Sequence, residues 1–298
     1  MFKGHPKGLI AAALANMGER FGYYIMNAVL VLFLCSKFGL SEETSGTIYS
    51  FFYAGIYLLA LVGGAIADRT QNYKGTIRTG LIIMATGYVL LSIPILATST
   101  NIAWLLPLTC FALFMIAFGN GLFKGNLQAI VGQLYDDFEA EAAKQGPEAL
   151  KIAKSKRDSG FQIFYVFINV GGLIAPFIAP LLREWWLGAN GMAYNAQLPA
   201  LCHEFINNGA QMSQAALDNL NALMTAAGGN VAELTNACQN YLQIFNEGIH
   251  YSFIASVVAM VISLIIFVAY QRRFPTPGKK TKVESQSYTA EEKRAMAK

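Results

Sequence analysis

The first long apolar stretch of the chain, residues 8–35, reads GLIAAALANMGERFGYYIMNAVLVLFLC. It exceeds the roughly 7–15 apolar residues of a signal peptide, and it can span a bilayer, which takes about 20. Glu19 and Arg20 lie in its middle. A charged side chain at that depth costs about 2.5–3.5 kcal/mol on insertion scales, so it requires a partner or a water-filled cavity. The stretch predicts an uncleaved transmembrane helix with a polar face.

Five further apolar stretches are long enough to cross a membrane. They cover residues 44–67, 77–97, 102–122, 160–182 and 250–270. Only 13% of the 298 residues are charged, about half the roughly 25% of a soluble domain. The sequence therefore predicts an all-α membrane protein built as a bundle of six transmembrane helices.

Basic residues concentrate on alternate connections between these spans. With both termini placed in the cytoplasm, the outer segments hold only Lys37 and Arg183, and the inner segments hold the remaining bases outside the spans. Because cytoplasmic loops are enriched in Lys and Arg, we predict a multi-pass inner-membrane protein with cytoplasmic termini. The net charge is only +4. The basic residues are placed according to the topology and form no continuous basic surface, so we expect no nucleic-acid partner.

The regions between the spans complete the domain plan. Residues 1–182 hold helices one to five, and within them the mixed-charge segment 136–158 is predicted as a cytoplasmic loop with a short helix. Residues 183–247 are too long for a plain connection and carry apolar residues at helical spacing. We expect them to form a small helical insertion outside the membrane, called the cap below. Residues 248–271 form the sixth span, and 272–298 form a cytoplasmic linker or tail.

The cap contains two cysteines, Cys202 and Cys238, on separate predicted helices. No other cysteine lies on the predicted outer face, where disulfides persist. We predict that the two form a disulfide bond. The alternative is a pair of buried free thiols.

Polar residues recur along one face of the first span. The set follows the helical repeat and comprises Asn16, Glu19, Arg20, Tyr23, Tyr24 and Asn27. One interpretation is a structural contact between the acid and the base that seals the bundle. The other is a polar binding surface, which the two tyrosines and two asparagines favour.

Three more motifs place polar residues in or beside the spans. Residues 119–126, GNGLFKGN, put Lys124 either inside the bundle or snorkelling at its inner boundary. Residues 161–172, FQIFYVFINVGG, carry Asn169. Residues 64–69, GAIADR, form a Gly-x3-Asp-Arg element in a short inner connection, with Gly64, Asp68 and Arg69 at its defined positions.

Together these motifs resemble the proton-dependent oligopeptide transporter family of the major facilitator superfamily. That family's first helix reads Glu-x-x-Glu-Arg-Phe-x-Tyr-Tyr, its fourth Gly-x-Gly-x-Phe-Lys-x-Asn and its fifth Phe-Tyr-x-x-Ile-Asn-x-Gly. All three occur here in that order, with Asn16 in place of the first Glu. The Gly-x3-Asp-Arg element is the superfamily signature, which ties two helices together and helps to gate the cytoplasmic side. The resemblance covers roughly residues 8–182 and the sixth span, but not the cap.

The resemblance implies roles for the matched residues. Arg20 and Lys124 would meet the carboxylate of a peptide. Glu19 would pair with Arg20 or Lys124 and could exchange a proton. The peptide pocket would be lined by Tyr23, Tyr24, Tyr57 and Asn169.

The implied fold is the N-terminal half of the twelve-helix major facilitator fold, which consists of two inverted three-helix repeats. The implied function is uptake of di- and tripeptides by alternating access, driven by protons. Because such a site lies between two halves, we expect a C-terminal six-helix half as a partner, in the same or a separate chain. We accordingly interpret this chain as a fragment, a split subunit or a truncated product.

Two positions depart from the family pattern. Asn16 replaces a Glu and Asn27 replaces an Arg, so one acid and one base are lost together, which we interpret as a paired loss that affects proton coupling. Two other functions stay open: a transporter of another anion, such as nitrate or a conjugated acid, and a non-transporting sensor or assembly partner. The sequence shows no nucleophile–base pair, phosphate-binding loop or metal-ligand spacing, so we predict no enzyme, cofactor or metal.

Overall fold

The computed structural model describes residues 4–275, so Lys3 and the expected tail beyond residue 275 lie outside the described residues. Within this range the chain is helical and contains no strand. Eight α helices follow one another along it: α1 (Leu9–Phe38), α2 (Glu42–Thr70), α3 (Tyr73–Ser92), α4 (Ile102–Ala143), α5 (Pro147–Ala189), α6 (Leu198–Asn208), α7 (Gln214–Ala226) and α8 (Leu234–Tyr270).

Six of the described helices, α1 to α5 and α8, are long and apolar enough to cross a membrane, which confirms the predicted six-helix bundle. The predicted end of the third span lies five residues too late, because α3 begins at Tyr73 and ends at Ser92. Ile93 is already extended, with φ −73° and ψ 117°. A residue before proline is driven out of the helical region by the proline ring, and Pro94 follows.

The prediction of a cytoplasmic loop over residues 136–158 is wrong. α4 continues to Ala143 and α5 begins at Pro147, so most of the segment extends the two spans. The segment is rich in Ala, Glu and Lys, which favour helix even when fully solvated. The break occurs at Gly146, whose φ of +120° suits glycine, and Pro147 takes the first helical position.

The most buried of the six spans is α1, which packs against α5 on one side and α8 on another. α4 packs against both α2 and α3. Glycines permit the closest crossings: a Cβ on Gly63 would lie 2.1 Å from the carbonyl oxygen of Gly121, and one on Gly80 would lie 2.7 Å from that of Gly119. In a bilayer no hydrophobic driving force brings helices together, so van der Waals packing must do so, and small residues at the crossings let the backbones approach closely.

Gly63→Ala is expected to destabilise the bundle by about 1–3 kcal/mol, because the added methyl group overpacks the contact between α2 and α4. Gly64→Ala is the matched control, since no atom lies within 4 Å of its Cβ. Both variants gain the same helix propensity, so their difference isolates the packing effect. Thermal unfolding followed by circular dichroism in detergent measures it. Equal midpoints for the two variants would contradict the role of Gly63 in this crossing.

The cap, residues 183–247, lies at the end of the bundle where α1 finishes, which we call the cap end. α6 and α7 pack onto the first part of α8, which runs without a break through residue 248, where we expected the sixth span to begin. The ring Nε2 of His203 donates to the carbonyl of Ser36 at 2.7 Å. The hydroxyl of Tyr241 accepts from the amide of Asn195 at 2.9 Å. These bonds fasten the cap to α1 and α8.

Candidate functional site

A buried ion pair occupies the middle of α1. Glu19 is 0% exposed and Arg20 is 5% exposed. The Arg20 Nε and Nη2 atoms donate to the two carboxylate oxygens of Glu19 at 2.5 and 2.6 Å. Asn120 of α4 donates from Nδ2 to Glu19 Oε1 at 2.6 Å. The bidentate geometry satisfies the charge of both partners inside the bundle.

Two members of this network were not singled out from the sequence. Asn120 lies in the quoted GNGLFKGN motif, and a buried Asn in a span signals that a polar partner lies opposite. Tyr88 of α3 is fully buried, close enough to Glu19 and Arg20 for their charges to act on its hydroxyl. The hydroxyl has no hydrogen-bond partner among the described residues. No sequence pattern predicted that Tyr88 would lie beside the ion pair, because it resembles any other aromatic residue of an apolar span.

Lys124 lies half-buried on α4, beside this network. Its Nζ is 5.4 Å from the centre of the Tyr57 ring, and both Arg20 and Glu19 act on it electrostatically. No acid or hydrogen-bond acceptor pairs with it in residues 4–275. The hydroxyls of Tyr57 and Tyr53 are 3.1 Å apart on α2, and both side chains are exposed. The ammonium group therefore adjoins an open tyrosine surface.

The two tyrosines that follow the ion pair join this surface to α5. The Arg20 guanidinium lies 4.9 Å from the centre of the Tyr23 ring, and the rings of Tyr23 and Tyr24 meet edge to face at 5.3 Å. A Cβ on Gly172 of α5 would come within 2.9 Å of the Tyr24 ring. The structure thus brings Glu19, Arg20, Lys124 and three of the four predicted pocket residues together.

Asn169, the fourth predicted pocket residue, is not part of this cluster. Its side chain is exposed on α5 and forms no hydrogen bond within the described range. The neighbouring positions Tyr165, Leu173 and Phe177 are also exposed. Asn169 therefore lies on an open face of α5 and forms no bond to the buried ion pair in the described residues.

The Gly-x3-Asp-Arg element lies at the end opposite the cap, where α2 turns into α3. The hydroxyl of Tyr73 donates to the Asp68 carboxylate, which ties the start of α3 to the end of α2. Gln71 Nε2 donates to the carbonyl of Asp68 at 2.5 Å. Gly64 and Arg69 make no contact of this kind with residues 4–275, and Arg69 is exposed. The element therefore connects two spans through Asp68.

The departing positions Asn16 and Asn27 cannot form one direct pair. Both lie on the continuous helix α1, eleven residues apart. The helical rise places them about 16 Å apart along the axis, with Glu19 and Arg20 between them. Asn27 Oδ1 is buried without a hydrogen-bond partner among the described residues. The interpretation of a paired loss therefore requires coupling through the intervening ion pair.

A family model agrees with the chain over most of its length, including the part of the site that lies on α4. The model of the POT family matches residues 74–290. The chain belongs to the POT family. This confirms the predicted family and its fold, the N-terminal-half-like segment of a major facilitator protein.

Three curated relatives of this POT-family chain share about a third of their residues with it. The di-/tripeptide transporter of Lactococcus lactis subsp. cremoris is 35% identical over 59% of this chain and 32% of its own length. The peptide transporter YePEPT of Yersinia enterocolitica subsp. palearctica is 34% identical over 64% and 33%. The uncharacterized transporter YclF of Bacillus subtilis is 33% identical over 66% and 35%. The chain spans about a third of the length of these relatives.

Solved structures of POT proteins share the architecture. The peptide transporter POT in complex with sulfate aligns with a TM-score of 0.56 and 25% identity, over all of this chain and 44% of that chain. A POT family transporter in complex with 5-aminolevulinic acid aligns with a TM-score of 0.58 and 24% identity, over 92% of this chain and 40% of its own. The six-helix bundle is therefore a major facilitator fold.

Proposed function

We propose that this chain forms half of a secondary active transporter for di- and tripeptides, which works by alternating access and is coupled to protons. It has no enzymatic role in this proposal. The observation that carries the proposal is Lys124, a half-buried ammonium group without an acidic partner in the described residues, beside exposed tyrosines. An unpaired cation in that setting suits a ligand carboxylate, since charge-assisted hydrogen bonds are the strong ones.

Proton coupling follows from the competition for Arg20. In the structure Glu19 occupies two nitrogens of its guanidinium, so Arg20 has limited capacity for a second carboxylate. Protonation of Glu19 removes its charge and weakens the pair, which frees Arg20 to bind the carboxylate of the peptide. Asn120 can hydrogen-bond Glu19 whether the carboxyl group is ionised or protonated, because a carboxamide can both donate and accept.

The position of the site supports a second half as partner. The tyrosine surface of α2 and the face of α5 that carries Asn169 are exposed, and both helices are largely unburied within the bundle. Transporters of this class bind substrate between two halves near the middle of the membrane. We therefore propose that a C-terminal six-helix half covers these faces, with Tyr57 and Asn169 toward the peptide.

The distribution of charge supports an orientation in the inner membrane. At the end opposite the cap, Arg157 of α5 pairs with Asp136 and Glu139 of α4 at 2.6 and 3.4 Å, and further bases extend α4 and α5 there. The cap end holds only Lys37 and Arg183. By the positive-inside rule, the cap faces the outside and both termini face the cytoplasm.

Equilibrium binding of labelled dialanine tests the function, in membranes from cells that express the chain in its full-length context. Di- and tripeptides should compete, whereas dialanine amide should compete about tenfold less well because it lacks the carboxylate. Nitrate is the comparison ligand for the anion-transport alternative. If nitrate binds and dialanine does not, the peptide proposal is overturned.

A further inference from the structure

The cap encloses a second polar cleft, far from the ion pair of α1. It has a volume of about 650 Å³ and lies between the end of α1, the connection from α3 to α4, α6 and the first part of α8. That volume falls within the roughly 300–1,000 Å³ of small-molecule sites. Six carboxamide side chains line it, those of Asn207, Asn236, Gln239, Asn240, Gln243 and Asn246.

Lys37 is the charged residue of this cleft, and it is buried. It is only 4% exposed, and its Nζ lies 5.0 Å from the centre of the Phe33 ring and 5.8 Å from that of Phe38. Within the described residues, Nζ has no carboxylate partner and no hydrogen-bond acceptor. Aromatic faces compensate only part of the cost of burying an ammonium group, so the site favours an anion.

The neighbouring titratable groups do not supply that anion. His203 also lines the cleft, but burial lowers its pKa and its Nε2 is bonded to the carbonyl of Ser36. Glu247 lines an adjoining cleft, where its oxygens accept from Trp186 Nε1 and Gln243 Nε2, both at 3.1 Å. His250, also in the adjoining cleft, is bonded through Nδ1 to the carbonyl of Leu91 at 2.7 Å. Among the described residues that line the larger cleft there is no Asp or Glu.

We propose that this cleft binds a small polar carboxylate at the cap end of the protein. Lys37 holds the carboxylate. The exposed carboxamides of Asn207, Gln239 and Asn240, which can both donate and accept, hold the amide or hydroxyl groups of the same molecule. Lys37 and Arg20 lie on one helix, seventeen residues apart, so the two sites are about 25 Å apart along its axis. The cleft is therefore distinct from the peptide site and independent of the proposed transport function.

Isothermal titration of the purified full chain in detergent tests the proposal, with N-acetylglycine as the probe. N-acetylglycinamide is the matched neutral probe, with the same amide but no carboxylate. N-acetylglycine should bind, the neutral probe should bind at least about tenfold more weakly, and Lys37→Gln should weaken N-acetylglycine by a similar factor. Lys37→Arg keeps the charge and should stay within about threefold of the unmodified protein.

Three further variants serve as controls. Lys144→Gln removes an exposed lysine at the opposite end and should leave the affinity unchanged. Lys124→Ala should also leave N-acetylglycine binding unchanged although it removes dipeptide binding without unfolding the bundle, so the two proposals fail separately. Asn240→Asp places a carboxylate on an exposed position of the cleft and should weaken binding even if Lys37→Gln fails to fold. The proposal is overturned if N-acetylglycine does not bind or if both probes bind equally. It is also overturned if the Asn240→Asp protein, together with any Lys37→Gln protein that folds, binds N-acetylglycine as tightly as the unmodified protein does.

Discussion

Lys124→Ala is expected to abolish dipeptide binding while leaving the bundle folded. Lys124 has no acidic partner in the described residues, so its removal strands no buried charge. Losing a charge-assisted bond to the ligand costs about 1.5–3 kcal/mol, which is about tenfold or more in affinity. Competition by dialanine in the full-length context measures the loss. Lys144→Ala, at an exposed lysine paired only with Glu141, is the matched control.

Arg20→Ala is expected to abolish binding as well, but with a second effect on stability. It leaves the fully buried Glu19 with only the amide of Asn120, and breaking a buried ion pair typically costs about 3–5 kcal/mol. The double variant Glu19→Gln with Arg20→Gln removes both charges and should recover much of the stability without recovering binding. Dialanine competition equal to that of the unmodified protein, in either Lys124→Ala or Arg20→Ala, would refute the assigned roles.

Oxidation of Cys202 and Cys238 to a disulfide is expected to stabilise the cap by about 3–4 kcal/mol on the chain-entropy model. In the structure both residues are free thiols, fully buried, on α6 and α8, and each thiol acts on the pKa of the other. The two sulfurs are therefore close enough to pair, and the disulfide stays a prediction. Intact-mass analysis after alkylation without reductant should find both cysteines linked and unmodified.

The folded cap should resist this oxidation once it has closed on free thiols. The hydrogen bond to Cys238, followed by burial, raises the pKa of Cys202 above that of an ordinary thiol. The same interaction lowers the pKa of Cys238, so the resistance rests on burial, which keeps an external oxidant away from both thiols. The bond should form during folding or after partial unfolding. Cys202→Ser, which cannot form the disulfide, is the control for the alkylation experiment. The protein should be made in cells whose outer compartment is oxidising. If both thiols are alkylated after this protein is unfolded without reductant, the result contradicts both the disulfide and an outward-facing cap.

Much of the membrane architecture was readable from single segments of the sequence. Hydropathy along 8–35 and its five counterparts predicted the six spans, because the bilayer imposes its thickness on each helix separately. The POT-family motifs on α1 and α4 were equally readable, since the spacing of Glu19, Arg20 and Lys124 is local. The wrong prediction at 136–158 was avoidable: its charges suggested a loop, but its Ala, Glu and Lys content favours helix.

Only the tertiary structure decided which groups meet. The sequence left Glu19 to pair with Arg20 or Lys124, and the packing of α1 against α4 selects Arg20 and adds Asn120. Tyr88 reaches the same network from α3, and Asn169 does not. The reason is that a partner depends on how separate helices cross, and the glycines that set those distances lie on both helices of each crossing.

The cap shows the same division between local and tertiary information. Sequence spacing predicted its helices, and Ser213 caps α7 by accepting from the amide of Ala216. Lys37, by contrast, read as one outer base among few. Its burial depends on α6 and α8 closing over the end of α1, which brings amides from distant parts of the chain around one ammonium group. Such a site has no local pattern, because its chemistry exists only where those helices meet.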